Sequence, residues 1–227
     1  MGVKYQVDSD FFRNWSNKMA YVLGFVSADG SLEDASYLRG KYLRICCCDL
    51  EIIQKIKAVM GSEHKIVFVK PKEVLSRGKK YLCRAKYLLR IDSHKIYNDL
   101  FGLGITPNKS KTLKLPCIPP QFLGSFCRGY LDGDGCISID GKKHNLVVVF
   151  TSGSKIFLEE LSKSLGVVLG INKHKVYDSN RAFQLKYSTR EAVPLLKYIY
   201  SEPEGQLFLE RKQQIFSGYL KKHPKWQ

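Results

Sequence analysis

The sequence predicts an α+β fold in which one αββαββα unit is built twice in a single chain. Three observations carry this: a repeated helical segment, period-two strand patterns after each copy, and a capped amphipathic helix recurring at a fixed offset. MAYVLGFVSADG, residues 19–30, lies over GSFCRGYLDGDG, residues 124–135. Gly24 falls on Gly129, Phe25 on Tyr130, Asp29 on Asp134 and Gly30 on Gly135, an offset of 105 residues (134 − 29). Without a gap, the same offset carries Asp49 onto Ser154, Ile52 onto Phe157, Ile56 onto Leu161 and Gly61 onto Gly166.

Each later pair has a physical reading. Asp49 and Ser154 are good helix N-caps, and Gly61 and Gly166 are predicted helix stops. Between them LEIIQKIKAVM and KIFLEELSKSL place apolar residues at helical spacing. LRICCC and LVVVFTS, just upstream, read as strands. So does YLCRAKYLLRI, residues 81–91: Arg84, Lys86 and Arg90 share one face, and Cys83, Ala85, Tyr87, Leu89 and Ile91 the other. Its counterpart is AFQLKYS, with Phe183, Leu185 and Tyr187 opposite Gln184 and Lys186. Each half thus reads as a short antiparallel sheet, apolar toward its helices and basic or polar away from them. The proline-rich tract 106–120 reads as a linker whose Pro120 starts the next helix, which divides the chain into lobes at 1–105 and 121–227.

Charge narrows the function class. Lys and Arg number 37 against 21 Asp and Glu, a net charge of +16, which favours a polyanionic partner. No run of 18 apolar residues exists to span a membrane, and MGVKYQVDSDFFRN lacks the apolar stretch of a secretory signal, so an intracellular protein is expected. Seven cysteines, three of them consecutive at 46–48, form no CxxC pair or zinc-spaced cluster; reduced, mostly buried thiols are expected.

The repeated helices carry the chemistry. Ala20 and Gly24 lie four apart in the first, Ser125 and Gly129 in the second. Small residues on one helix face let two backbones approach, so the two helices are expected to pack on each other. Asp29 and Asp134 then meet at the helix C-termini, where unpaired carbonyls already concentrate negative charge. Two carboxylates there call for a hard divalent cation with oxygen ligands, for which Mg²⁺ is the natural candidate.

VLGFVSADG (22–30) and CRGYLDGDG (127–135) resemble the LAGLIDADG motif. With TPNKSKTLKLP between them and RKQQIF near the C-terminus, the chain resembles a single-chain LAGLIDADG homing endonuclease over nearly its whole length. The resemblance implies a homing-endonuclease fold of two pseudo-symmetric lobes whose sheets form a saddle over double-stranded DNA. It implies a monomer that makes a double-strand break at a long, roughly palindromic site, in the service of intron homing.

It also implies roles for residues. Asp29 and Asp134 would hold metal, with the carbonyls of Ala28 and Gly133 assisting. A basic residue of each active site falls on Lys109 and Lys212, which lie 80 and 78 residues beyond their aspartates (109 − 29 and 212 − 134); Lys111 competes with Lys109. On the sheet faces, alternation nominates Arg44, Arg84, Lys86, Arg90, Ser138, Asp140 and Lys186 for DNA contact, with Tyr42 and Arg181 as weaker candidates. The loops 76–80 and 140–145, the latter with Lys142 and Lys143, would contact phosphates. Two positions depart from the family pattern. The sixth motif position is Ser27 in one half and Asp132 in the other, and the neighbourhoods of Cys47 and Ser152 lack the amide that often orients water.

A second reading of the same fold is an intron-encoded maturase bound to intron RNA, or a DNA-binding relative with weak cleavage. An intein fragment is disfavoured because no splicing block flanks the repeats.

Overall fold

The structure is a computed structural model that describes residues 5–35, 37, 40–76, 78–142, 144–172, 174–201 and 207–226. Helix α1 (Asn17–Asp29) runs directly into strand β1 (Gly30–Ala35), followed by β2 (Gly40–Cys47), α2 (Leu50–Val59) and β3 (Ile66–Val69). A hairpin, β4 (Lys72–Ser76) and β5 (Lys79–Cys83), precedes β6 (Lys86–Asp92) and α3 (His94–Gly102). The second half repeats the order as α4 (Leu123–Asp134), β7 (Gly135–Ile139), β8 (Leu146–Ser152), α5 (Lys155–Leu169), β9 (Val176–Ser179), β10 (Ala182–Ser188) and α6 (Thr189–Ile199), and adds α7 (Glu210–Lys222).

The duplication holds at the level of topology. One four-stranded sheet has the order β1-β2-β6-β3 and the other β7-β8-β10-β9, so corresponding strands occupy corresponding places. All neighbours are antiparallel. Period-two burial selects the core face: Leu43, Ile45, Leu89 and Ile91 are buried in one sheet, and Val148, Phe150, Leu185 and Tyr187 in the other.

Helices α1 and α4 are the central pair and make the most extensive contact between any two helices. Both are enclosed nearly all round: α1 is buried from Met19 to Ser27 and α4 from Leu123 to Asp132. A helix without a solvated face belongs in a core, which accounts for the weak amphipathicity of MAYVLGFV. Ser16 caps α1, its Oγ accepting from the Met19 N–H at 3.1 Å, and Ser154 caps α5 in the same way through Phe157. No helix among the described residues is long and apolar enough to cross a membrane.

Four expectations need correction. Gly166 does not stop its helix; α5 runs on to Leu169 and ends at Gly170, whose φ of +63° supplies the left-handed cap. Residues 81–91 are not one strand, because β5 ends at Cys83 and β6 begins at Lys86, leaving Arg84 and Ala85 between them. Asp140 lies beyond the end of β7, where its carboxylate accepts from the Lys142 N–H at 2.8 Å and closes a turn. The cysteines are free, but only Cys127 is buried, while Cys48, Cys83, Cys117 and Cys136 are exposed.

Candidate active site at the paired helix ends

Glycine decides how closely the central helices approach. A Cβ on Gly24 would overlap the carbonyl oxygen of Phe126, and one on Gly129 would overlap that of Tyr21. The contact is reciprocal, each glycine facing the partner's backbone, and Ala20 and Ser125 are buried on the same helices. At the carboxyl ends Gly133 stands against the Cβ of Ala28, and the Asp29 backbone nitrogen comes 3.5 Å from where a Gly133 side chain would begin. The last turns of both helices therefore converge, bringing Asp29 and Asp134 together.

Electrostatics register that convergence. Burial and the neighbouring Asp134 carboxylate push Asp29 up to about 6 from an ordinary 3.8, with the Lys212 and Lys109 ammoniums opposing the shift. Partial desolvation also raises Asp134, which stays exposed at the helix end, against the pull of the same two lysines.

Both lysines are buried, and each is fixed by main-chain oxygen. Lys109 Nζ donates to the Gly30 carbonyl at 2.6 Å from a short 3₁₀ turn, Lys109–Lys111. Lys212, in the first turn of α7, donates to the carbonyls of Leu131, Asp132 and Gly135 at 2.5, 2.9 and 2.8 Å. Gly30 and Gly135 follow Asp29 and Asp134, so each ammonium sits one residue from a carboxylate. Desolvation lowers both lysines while the aspartates hold them up. Lys111, the competing candidate, is exposed.

The donor set fits a hard divalent cation. It offers two carboxylates close enough to repel, and the nearby Cys47 sulfur is kept as a neutral thiol by burial. Among the described residues no group of three or more His, Cys, Asp or Glu could hold a metal alone. Such a site leaves most of the coordination to water and to phosphate oxygens, the arrangement Mg²⁺ favours. Ala28 and Gly133 meet at the helix junction, the Ala28 Cβ against the Gly133 backbone.

The two half-sites differ. Cys47 and Ser152 occupy equivalent positions, each accepting from the backbone N–H two residues on, at 3.5 Å to Asp49 and 3.1 Å to Ser154. Burial pushes the Cys47 thiol up to about 11, so it remains protonated and neutral. At the sixth motif position, Ser27 returns its hydroxyl to Leu23 within its own helix at 2.7 Å. Asp132 is buried and accepts instead from Tyr21 Oη at 2.8 Å and the Leu209 N–H at 2.9 Å, tying α4 to α1 and to the approach of α7.

Three features were missed by reading the sequence. Arg128 is buried and donates to the carbonyls of Leu207 and Ile199 and to the Ser125 hydroxyl. Arg211 reaches from α7 to Asp49 of the first half in a two-pronged ion pair at 3.3 and 3.0 Å. Glu33 bridges two arginines of the sheet face. Their deciding partners lie far along the chain, Leu207 and Ile199 for Arg128, Asp49 for Arg211 and Arg90 for Glu33, which leaves little local signature.

The nominated face residues are distributed as follows. Arg44 stands opposite Arg90 across β2 and β6, and Glu33 accepts from Arg90 at 2.9 Å and lies 3.7 Å from Arg44. Arg90 also stacks 3.5 Å over the Tyr42 ring. Lys86, Ser138 and Lys186 are exposed on strands, while Arg84 and Lys142 are exposed off them. Arg181 sits at φ +79° in the β9–β10 turn. Lys143 lies outside the described residues, as does residue 77 of the loop 76–80.

Abutting central helices that end in paired aspartates, with two sheets of one strand order, define a two-lobed protein of the LAGLIDADG fold. Residues 121–200 match the family model of the LAGLIDADG-like domain. The structure is similar to the homing endonuclease I-WcaI bound to its DNA recognition sequence, with a TM-score of 0.60, 12% identity, and 91% of this chain and 90% of that one covered. It is similar to I-DmoI in complex with DNA and Mn, with a TM-score of 0.55, 19% identity and coverage of 84% and 99%. The N-terminal LAGLIDADG domain of DUF199/WhiA is similar too, with a TM-score of 0.54, 15% identity and coverage of 91% and 93%. No curated protein matches the chain in sequence.

Proposed function

We propose that the chain is a site-specific DNA endonuclease that acts as a monomer, requires a divalent cation such as Mg²⁺, and makes a double-strand break in the service of intron homing. The observation that carries this reading is the convergence of Asp29 and Asp134 at abutting helix ends, each beside a buried lysine. A fold shared by endonucleases and a WhiA domain does not choose between cleavage and binding; the paired carboxylates favour cleavage.

A bound divalent cation would supply Lewis-acid stabilisation of the phosphate and an activated water. The chain's own residues prepare that chemistry. Asp29 and Asp134 would hold that cation and offset part of its charge. Lys109 and Lys212, immobilised on carbonyls and shielded from water, hold fixed positive charge where a pentavalent phosphate would gather negative charge. Burial of the two lysines strengthens their effect, since charges interact more strongly away from bulk water. The basic sheet faces would bring phosphates and base edges to the site, in keeping with the net +16.

The test begins with a duplex selected by binding from a random pool, placed in a supercoiled plasmid. With Mg²⁺ the protein should linearise the plasmid, and with EDTA it should only bind. Tight, specific binding with no scission in Mg²⁺ or Mn²⁺ would leave a DNA-binding relative and remove the endonuclease reading.

A further inference from the structure

The segments that carry the two active-site lysines are gripped by the duplicated capped helices, each from the opposite lobe. Ser154 and Glu160 stand at the start of α5, and the 105-residue offset carries them back onto Asp49 and Lys55 at the start of α2 (154 − 49 and 160 − 55). Each pair reaches a different lysine.

Lys109 follows the first lobe, yet its turn is held by the second. The Leu113 N–H closes that turn on the Lys109 carbonyl at 2.8 Å. Ser154 Oγ donates to the Leu113 carbonyl at 2.6 Å, and Glu160 accepts from the Leu115 N–H at 2.8 Å. Gly153 lets the turn approach, because a Cβ there would overlap the Ser110 carbonyl oxygen. Lys212 belongs to the second lobe, yet the first turn of α7 is held by the first. Asp49 accepts from Arg211 at 3.3 and 3.0 Å. Lys55 donates to Glu210 at 3.2 Å and stands 5.3 Å from the centroid of the Phe208 ring.

The two grips use unrelated chemistry. One places a hydroxyl and a carboxylate on main chain, and the other uses solvated ion pairs, which add little to stability. Equivalent positions that keep one task while changing its chemistry point to the task itself. Displacing a charged group by about 1 Å from its phosphate can cost ~10²-fold in rate, so a small anchoring force has a large effect on position-sensitive chemistry.

We infer that the starts of α2 and α5 are cross-lobe clamps: Asp49 and Lys55 position Lys212, and Ser154 and Glu160 position Lys109. The inference rests on the endonuclease reading above. A pseudo-twofold chain meets the two strands of an antiparallel duplex through different half-sites, so each clamp governs one strand. Loss of one clamp turns a double-strand cutter into an enzyme that nicks a preferred strand.

Cleavage of the selected duplex in Mg²⁺, with a different dye on each strand, tests this. Asp49→Ala/Lys55→Ala leaves the net charge unchanged, and Ser154→Ala/Glu160→Ala makes it more positive, so duplex affinity should stay near parental in both. Each double variant should slow one strand by about 10–10²-fold and cut the other near the parental rate, and the two should slow opposite strands. Ser154 also caps α5, but lost stability would not select one strand. Glu160→Gln keeps an acceptor for the Leu115 N–H and should cut both strands as the intact chain does. Equal slowing of both strands, slowing of the same strand by both variants, or loss of duplex binding would mark the contacts as structural and overturn the clamps. Parental cutting of both strands in either double variant, or a Glu160→Gln as slow as the double variant, would overturn them too and leave the endonuclease reading standing. No cutting of either strand by the intact chain would remove both readings.

Discussion

The Lys212 ammonium donates to the Gly135 carbonyl at 2.8 Å, and Lys109 makes the equivalent bond to Gly30 at 2.6 Å. The second lysine of the pair is the more heavily engaged, because Lys212 also holds the carbonyls of Leu131 and Asp132. Replacing either by Met should reduce cleavage by roughly 10²–10³-fold, the usual loss for one preorganised charge donor. Stability should separate them. Lys212→Met removes three hydrogen bonds, although Leu131 keeps the one from the Gly135 N–H, and should lower Tm more than Lys109→Met, which removes one. Equal thermal shifts would show that the carbonyl bonds are not what fixes Lys212.

Gly24 and Gly129 face backbone oxygen across the α1–α4 contact, so Gly24→Ala or Gly129→Ala should force the helices apart at a cost of about 1–3 kcal/mol. Gly218, within α7, faces open space. There the same substitution should stabilise by about 0.5–1 kcal/mol, through helix propensity alone. Chemical denaturation of the three variants checks the opposite signs; a stabilising Gly24→Ala would contradict the close approach.

Asp29, raised to about 6 from 3.8, makes stability depend on pH in a direction that can be worked out. Between those values the folded chain binds a proton that the unfolded chain releases, so this group's contribution to stability falls as pH rises from about 4 to 6. Above 6 the penalty of a buried, repelled carboxylate is complete, at about 2–3 kcal/mol. In EDTA, Asp29→Asn should therefore exceed the parent in Tm at pH 7.5 and match it near pH 4. Mg²⁺ should narrow the gap at pH 7.5 by stabilising the parent alone. A variant no more stable than the parent at pH 7.5 would contradict the carboxylate repulsion.

Arg90 is held by Glu33 and by the Tyr42 ring on the face of the first sheet. Arg90→Ala should relax preference at one base pair by about 1–3 kcal/mol, while Lys186→Ala should weaken binding to all sequences alike. Glu33→Gln should relax the same position as Arg90→Ala with little change in Tm, since the ion pair is solvated. Binding to singly substituted duplexes separates these outcomes. Uniform weakening by Arg90→Ala would assign it to phosphate instead.

The parts legible in the sequence are those governed by local patterns. Helices α1 and α4, the Ser154 cap, strands β2 and β8 and the duplicated order of elements along the chain follow from periodicity and the 105-residue offset. Local patterns failed where tertiary forces prevailed. Gly166 looked like a stop, but Leu165 and its neighbours on α5 are buried, and Gly170 supplies the left-handed turn four residues later. Arg84 fitted a strand alternation that the gap between β5 and β6 interrupts. Asp49 looked like a simple cap, yet its carboxylate makes no cap bond and turns to Arg211, 162 residues away. Asp132 read as a variant motif position, while its partners, Tyr21 and Leu209, are set by how the lobes meet.

The central claim is that Asp29 and Asp134 together form one cleaving centre. Its most direct test is Mg²⁺-dependent linearisation of the target plasmid by the parent and by Asp134→Asn, with binding measured in parallel. The account predicts that the variant binds the duplex with near-parental affinity but loses double-strand scission by at least ~10²-fold. Scission by Asp134→Asn at the parental rate would contradict it.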